Sequence, residues 1–323
     1  MDQIIQLIQE RTNFVIIGHT SPDEDAIGSC YGLAFALHEM GKNVTVVLEP
    51  YPQKYNFIPG IQFLYAGNLD NLEIDVLIAL DCADETRLGL GQSLFARAKY
   101  TVCIDHHKTN TGFAQFNYIE PETASTSEIV FRLLAKLIVP TTEIATAIYA
   151  GIVGDTGGFK YDSTNRSTME IAATLMEMGI PFTKIYGDIM HRHSFSAAKA
   201  LGIILQNAVS VLDGRIMYSF ISCEMRKNID ASLADLDGAV EYLVNTTDVD
   251  AAALIYEISG KTQPHVKVSL RSHGVDVGNV AAALGGGGHQ MAAGATVLGN
   301  IETTIEKLMH LLEMELIDYD RRT

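Results

Sequence analysis

The chain has no apolar run of the roughly 18 residues needed to cross a bilayer, no low-complexity tract and no internal repeat. Its opening, MDQIIQLIQERTNF, mixes acids and amides into apolar positions as an amphipathic helix does, and no signal peptide is visible. The four cysteines, Cys30, Cys82, Cys103 and Cys223, stand far apart in apolar contexts, and the lack of a CxxC pair argues against thiolate zinc or redox work. Buried thiols in a reducing cytosol are expected instead. Positive charge is also scarce. A formal net charge of −16 repels a polyanion over most of the surface, which argues against a protein that coats or slides along duplex nucleic acid. A short anionic substrate is not excluded, because metal ions reverse the local sign in a carboxylate-lined cleft.

What is there is enough for two cores: 323 residues, 47% of them hydrophobic and only 19% charged. In the first half, apolar β-branched runs alternate with helical patterns: FVIIG at Phe14–Gly18, a helical stretch at Ala26–Met40, NVTVVLE at Asn43–Glu49, DVLIAL at Asp75–Leu80 and YTVCI at Tyr100–Ile104. Continuous apolar strands separated by helices predict a doubly wound α/β domain with a mainly parallel sheet covered on both faces. Helical patterns fill the chain from Ser127 to about Met190. New strand signals around Ala208–Leu212 and Arg215–Ser222 meet at the turn Asp213-Gly214, and AAALIYEI and HVKVSLRS follow before a glycine cluster and a helix at Glu302–Leu316. This reads as a smaller α/β domain. The expected division is 1–190 for the first domain, 191–207 for a linker and 208–323 for the second.

Chemistry concentrates where the strands end. The first strand runs into His19 and HTSPDEDAIGS, the strand at Asp75–Leu80 into Asp81, and the strand at Tyr100–Ile104 into Asp105-His106-His107. In open α/β sheets ligands bind beyond the carboxyl ends of the strands, so these groups are expected to converge on one crevice. Asp155, which ends IATAIYAGIVG ahead of Thr156-Gly157-Gly158, is a fourth candidate. Taken singly, Asp81 or Asp155 is most simply a cap or turn residue, Asp23 a cap for the helix that follows, and Ser125-Thr126-Ser127 another cap whose hydroxyls and amides could meet a phosphate. Four such features at equivalent ends of successive elements point to a site. Asp23 and Asp25, two apart, share a side if the segment is extended, and Glu24 then points away. Imidazoles with carboxylates and no thiolate suit Mn²⁺, with Mg²⁺ or another divalent ion as substitute. The number of donors favours two ions, the common arrangement for in-line displacement at phosphorus.

These residues resemble the DHH phosphoesterases, and the resemblance extends over nearly the whole chain. His19-x-x-x-Asp23-x-Asp25 is similar to the family's first motif, Asp81 to its second, Asp105-His106-His107 to its third, and Asp155 in GIVGDTGGF to its fourth. LGGGGHQMAAGA, Leu284–Ala295, is similar to the GGGH signature of the accessory DHHA1 domain, with Arg271 where that domain offers a phosphate-binding arginine. The resemblance implies that His19 and Asp23 bind one metal, that Asp25, His106 and Asp155 bind the other, and that Asp81 bridges them. It places His107 beside the scissile phosphate and Asp105 behind a neighbouring imidazole. Arg271, Gly286, Gly287, Gly288 and His289 are then the substrate-binding group, and the active site lies in the cleft between the domains.

The length, without OB, sensory or membrane segments, is closest to the stand-alone DHH–DHHA1 group, the NrnA-like oligoribonucleases. The expected activity is hydrolysis of very short RNA to mononucleotides and of adenosine 3′,5′-bisphosphate to AMP in the cytoplasm. A phosphodiesterase dedicated to linear or cyclic dinucleotides uses the same metals and stays open as an alternative. So does a catalytically silent nucleotide-binding regulatory module, against which the intact donor set speaks. The oligomeric state is also open, a homodimer among the options.

Overall fold

The computed structural model describes residues 1–258 and 264–322, which divide into two compact units, 1–192 and 193–323. In the first unit the strands are β1 (Asn13–Ile17), β2 (Asn43–Val47), β3 (Val76–Leu80), β4 (Tyr100–Asp105) and β5 (Phe116–Ile119), all parallel in the order β2-β1-β3-β4-β5. The helices are α1 (Asp2–Glu10), α2 (Glu24–Glu39), α3 (Gln92–Phe95), α4 (Thr126–Leu134), α5 (Thr142–Asp155), α6 (Arg166–Glu177) and α7 (Phe182–Met190).

Successive strand residues point to opposite faces, and β1 divides accordingly. Phe14 and Ile16 join the core under α2, α4 and α5, whereas Val15 and Ile17 join Leu77, Ala79, Leu88 and Leu94 on the other face. A strand buried on both sides cannot alternate apolar with polar residues, hence the unbroken runs in the sequence. The strand order reverses direction at β1, whose neighbours are β2 on one side and β3 on the other. That switch point opens a crevice at the carboxyl ends.

Helix α2 is buried from Asp25 to Leu37, and small residues let it lie close to α5. A Cβ on Gly28 would sit 2.5 Å from the Ala147 carbonyl oxygen, and one on Gly32 would sit 2.7 Å from Ile148 Cδ1. This close packing carries the C-terminus of α5, and with it Asp155, toward the N-terminus of α2.

The second unit holds a mixed sheet in the order β10-β11-β9-β8-β7-β6. Its strands are β6 (Val209–Val211), β7 (Ile216–Ile221), β8 (Ala251–Ile258), β9 (His265–Ser272), β10 (Gly287–His289) and β11 (Ala292–Leu298). Its helices are α8 (Phe195–Gln206), α9 (Cys223–Lys227), α10 (Ala239–Val244), α11 (Val277–Ala283) and α12 (Ile301–Asp320). Alternate residues of β8 again serve two cores. Ala251, Ala253 and Ile255 pack with α11 and α12, and Ala252, Leu254 and Tyr256 pack with α8 and α10. Helix α12 meets its core through Leu308, Leu312 and Leu316, spaced one helical turn apart.

The structure departs from the sequence reading in three places. The stretch 191–207 is not a bare linker, because α8 lies within it and buries Ala200 and Ile204 in the second unit's core. The glycine cluster contributes a short edge strand, Gly287–His289, paired antiparallel with β11. Strand β5, not anticipated from the sequence, extends the parallel sheet. No helix among the described residues is long and apolar enough to cross a membrane.

Candidate metal centre

Strand β1 delivers His19 to the crevice as a buried side chain. Its Nδ1 lies 2.7 Å from the Thr20 carbonyl oxygen. A carbonyl can only accept, so Nδ1 carries a proton there, and Nε2 is the ring nitrogen turned toward the carboxylates. Nε2 stands 3.4 Å from Asp23 Oδ2 and 3.4 Å from Asp81 Oδ2.

The segment expected to be extended at Asp23–Asp25 is instead the start of α2, with Asp23 as its N-cap. Asp23 Oδ1 accepts from the amides of Asp25 and Ala26 at 3.1 and 3.0 Å, which leaves Oδ2 to face His19. One carboxylate thus serves as cap and as site residue, and the two readings of Asp23 do not compete. Asp25 enters from the first turn of the same helix. It is 1% exposed, and its two oxygens accept from the amides of Thr126 and Ser127 at 2.6 and 2.9 Å. The free amides of α4 that could have met a phosphate therefore hold Asp25, and the helix dipole stabilises its buried charge. Glu24 belongs to none of the metal-type donor groups among the described residues.

Asp81 follows β3 with φ +57°, a left-handed conformation uncommon for a residue other than glycine. The turn aims the carboxylate between two neighbours. Oδ2 faces His19, while Oδ1 lies 3.6 Å from His106 Nε2 and accepts from the Thr126 hydroxyl at 3.1 Å. His106 is held through Nδ1 by the Thr123 carbonyl at 3.2 Å and presents Nε2 to Asp155 Oδ2 at 3.3 Å. Asp105, fully buried at the end of β4, accepts from Asn110 Nδ2 at 2.6 Å and pairs with His107 Nδ1 at 2.7 Å. It fixes the His107 ring and leaves the Nε2 side of that ring for another partner.

The electrostatics record how much negative charge converges here. Burial pushes the Asp25 carboxyl well above its ordinary range, and the charges of Asp81 and Asp155 push the same way. Burial also raises Asp155, to about 7, with help from Asp81 and Asp23 against the pull of His106. Burial opposes the His19 cation, but the hydrogen bonds and charges of Asp23 and Asp81 override it and hold the ring's pKa at about 10. Three overlapping donor groups result: His19, Asp23 and Asp81; Asp25, His106 and Asp155; and Asp81, His106 and His107. The donor atoms within each group lie within 4.8 Å of one another, close enough to hold a metal ion. Imidazole Nε2 atoms and carboxylates without thiolate are a donor set for hard or borderline divalent cations.

Sequence comparison matches residues 13–152 to the DHH family, N-terminal domain, and residues 213–316 to the DHHA1 domain. The bifunctional oligoribonuclease and PAP phosphatase NrnA of Thermus thermophilus is 31% identical over 305 residues, which span 93% of this chain and 89% of that protein. The chain belongs to the DHH family of phosphoesterases. The NrnA protein of Bacillus subtilis is 25% identical over 91% of this chain and 92% of its own length. An exopolyphosphatase-related protein from Bacteroides fragilis superposes with a TM-score of 0.87 at 28% identity, covering 97% of this chain and 95% of that one.

In the DHHA1 domain, Arg271 on β9 and His289 on β10 both stand opposite Ala292 of β11. Residues in one row of a sheet project to one face, so Arg271 and His289 share a face two strands apart. Arg271 is held by Glu241 through Nε at 2.6 Å and by the Leu270 carbonyl through Nη1 at 2.9 Å. Part of the glycine requirement is steric. A Cβ on Gly286 would lie 2.2 Å from the Gly294 carbonyl oxygen, and one on Gly288, at φ +147°, would lie 2.5 Å from Ala293 Cα. A Cβ on Gly287 would meet nothing within 4 Å. A shallow pocket is lined by Gly285, Gly286, Gly287, Gly294 and Lys267. The sequence reading missed Lys267, along with Thr123 and Asn110 beside the metal-type donors, and named Thr126 only as part of a cap that could meet a phosphate, not as the partner of Asp81.

One test of the helix packing behind the site is Gly151→Ala. The new methyl would lie 2.0 Å from Ser127 Oγ and 2.9 Å from Asp25 Oδ1. We expect a loss of about 1–3 kcal/mol in stability from this overpacking, together with weakened binding of divalent ions. Denaturant unfolding and metal titration measure the two effects, and wild-type behaviour in both would show that α2 and α5 have room to part.

Proposed function

We propose that the chain is a two-metal phosphoesterase that hydrolyses very short oligoribonucleotides to mononucleotides and adenosine 3′,5′-bisphosphate to AMP, with Mn²⁺ as the working ion. The observation that carries the reading is Asp81, whose two oxygens face two different donor groups, His19–Asp23 on one side and His106 on the other. The similarity to NrnA proteins over most of the chain supports the substrate class. In this reading His19 and Asp23 hold one ion, Asp25, His106 and Asp155 hold the second, and Asp81 bridges them. When bound, two such ions lower the pKa of a water molecule and neutralise charge on the transferring phosphoryl group.

The side chains do the rest. His107, whose ring Asp105 holds in place, sits beside the scissile phosphate and presents a proton at Nε2 to its oxygens. Desolvation of Asp25 and Asp155 is offset once cations replace the protons that burial favours. Arg271, the backbone of Gly286–Gly288 and His289 hold a terminal phosphate or nucleotide. An anchor that grips a terminal phosphate favours short substrates.

The test is kcat/KM in Mn²⁺ for short RNA, pApA, adenosine 3′,5′-bisphosphate, cyclic dinucleotides and pyrophosphate. Short RNA and the bisphosphate should rank first; a ranking led by cyclic dinucleotides or pyrophosphate would overturn the assignment. Arg271→Ala should raise KM by roughly tenfold to a hundredfold, the worth of one charge-assisted hydrogen bond, with kcat little changed. An unchanged KM would remove Arg271 from the anchor.

A further inference from the structure

Arg87 lies outside every motif used so far. It sits on the 3₁₀ segment Glu85–Gly91 that follows Asp81, and its side chain is exposed. The segment is a fixed perch. The Asp84 side chain accepts from the Thr86 amide at 2.8 Å, Leu88 is buried beneath, and Gly89 at φ +51° turns the chain where a Cβ would lie 2.1 Å from Glu49 Oε1. The Arg87 carbonyl accepts from the Thr20 amide at 2.9 Å, which binds the segment to the residue after His19.

The guanidinium itself reaches the metal-type donors, with Nη2 3.3 Å from His19 Nδ1. This contact is not what orients the imidazole. Nδ1 already donates to the Thr20 carbonyl at 2.7 Å, and a protonated nitrogen cannot accept a second N–H. Nor does Arg87 form a salt bridge among the described residues, although carboxylates crowd the crevice beside it. A guanidinium is always charged, and beside a site that takes up divalent cations it meets repulsion unless an anion arrives with them. Its planar fork of donors matches the oxygens of a phosphate.

We propose that Arg87 is a substrate-binding residue of the metal centre, donating to a non-bridging oxygen of the phosphoryl group held at the His19–Asp23–Asp81 donors. The proposal rests on the phosphoesterase reading above. It places a protein cation on the first donor group itself, separate from the Arg271 anchor of the second domain. The role is to bind and neutralise the reacting phosphate rather than to recognise a base, so its effect should be equal for every substrate that the enzyme cleaves.

The experiment uses the full chain, metal-free for the Mn²⁺ titration and saturated with Mn²⁺ for the other measurements, as wild type, Arg87→Ala and Arg87→Lys. Three quantities are read: Mn²⁺ affinity, the affinity of inorganic phosphate by calorimetry, and kcat/KM for pApA and adenosine 3′,5′-bisphosphate. Arg87→Ala should weaken phosphate and lower kcat/KM for both substrates by about tenfold to a hundredfold, while Mn²⁺ affinity stays within about twofold. Arg87→Lys, which keeps the charge and loses the fork, should fall between. Unchanged phosphate affinity and turnover in Arg87→Ala would overturn the proposal. So would an equal loss of Mn²⁺ affinity, which would make Arg87 a positioning residue for His19. If wild type binds Mn²⁺ and phosphate but cleaves neither substrate, the functional reading fails, and the phosphate measurement still decides the part concerning Arg87.

Discussion

Asp81→Asn should lower kcat by on the order of 10³-fold or more, because under the proposed function several kcal/mol of charge stabilisation at the reacting phosphate depend on the bridge assigned to Asp81, and each 1.36 kcal/mol is tenfold in rate. Asparagine is the informative substitution. Asp81 has φ +57°, which asparagine tolerates, whereas alanine would add backbone strain of about 1 kcal/mol to the lost ligand. The metal-free fold should survive, because Asp81 is also a source of the repulsion that raises the carboxyls of Asp25 and Asp155. We expect the metal-free melting temperature to stay within about 4 °C of wild type. Near-normal turnover of Asp81→Asn in saturating Mn²⁺ would remove the bridge from the mechanism.

His107→Ala should be the second severe variant, with a different signature. His107 Nδ1 is committed to Asp105 at 2.7 Å and stands 3.7 Å from Asp81, so the ring is held by a carboxylate outside the two principal donor groups. The hydrogen bond to Asp105 raises its pKa, which favours a ring that carries a proton. Loss of a positioned proton donor costs about 10²–10⁴ in kcat, whereas KM and bound metal should barely change. Metal content measured on the purified variant separates the roles: a parallel loss of metal would make His107 a ligand, and an unchanged kcat would exclude it from the chemistry.

The convergence of metal-type donors was legible because parallel strands end along one edge of the sheet. A buried strand must be apolar throughout, so the first polar residue after it, His19 or Asp81, stands out, and parallel strands bring such residues to one edge. Other features depend on contacts that no local pattern encodes. Asp23 and Asp25 fit an extended segment as well as a helix start, and what decides is the packing of α2 on α5 through Gly28 and Gly32. Strand β5, FNYI, is short and carries an exposed Asn117, so its pattern is weak. Strand β10 consists of two glycines and a histidine, residues with little strand preference, and exists because β11 lies beside it. The amides of Thr126 and Ser127 that hold Asp25, and the Thr123 carbonyl that holds His106, are main-chain groups that the side-chain sequence does not reveal.

The same limit explains 191–207. FSAAKALGIILQ becomes α8 of the second core because Ala200 and Ile204 find cover there, whereas the polar stretch HRHS at 191–194, just before it, reads as a connection. Thr126 could be suspected from Ser125-Thr126-Ser127, but its bond to Asp81 joins residues 45 positions apart and needed the fold to be seen.

The measurement that bears most directly on the central claim is the number of divalent ions bound per chain at saturation, by calorimetric titration of Mn²⁺ into the metal-free protein, in wild type and Asp81→Asn. The account predicts two ions in wild type, both weakened in the variant because one carboxylate serves both donor groups. A single ion in wild type, or two ions of undiminished affinity in Asp81→Asn, would contradict it.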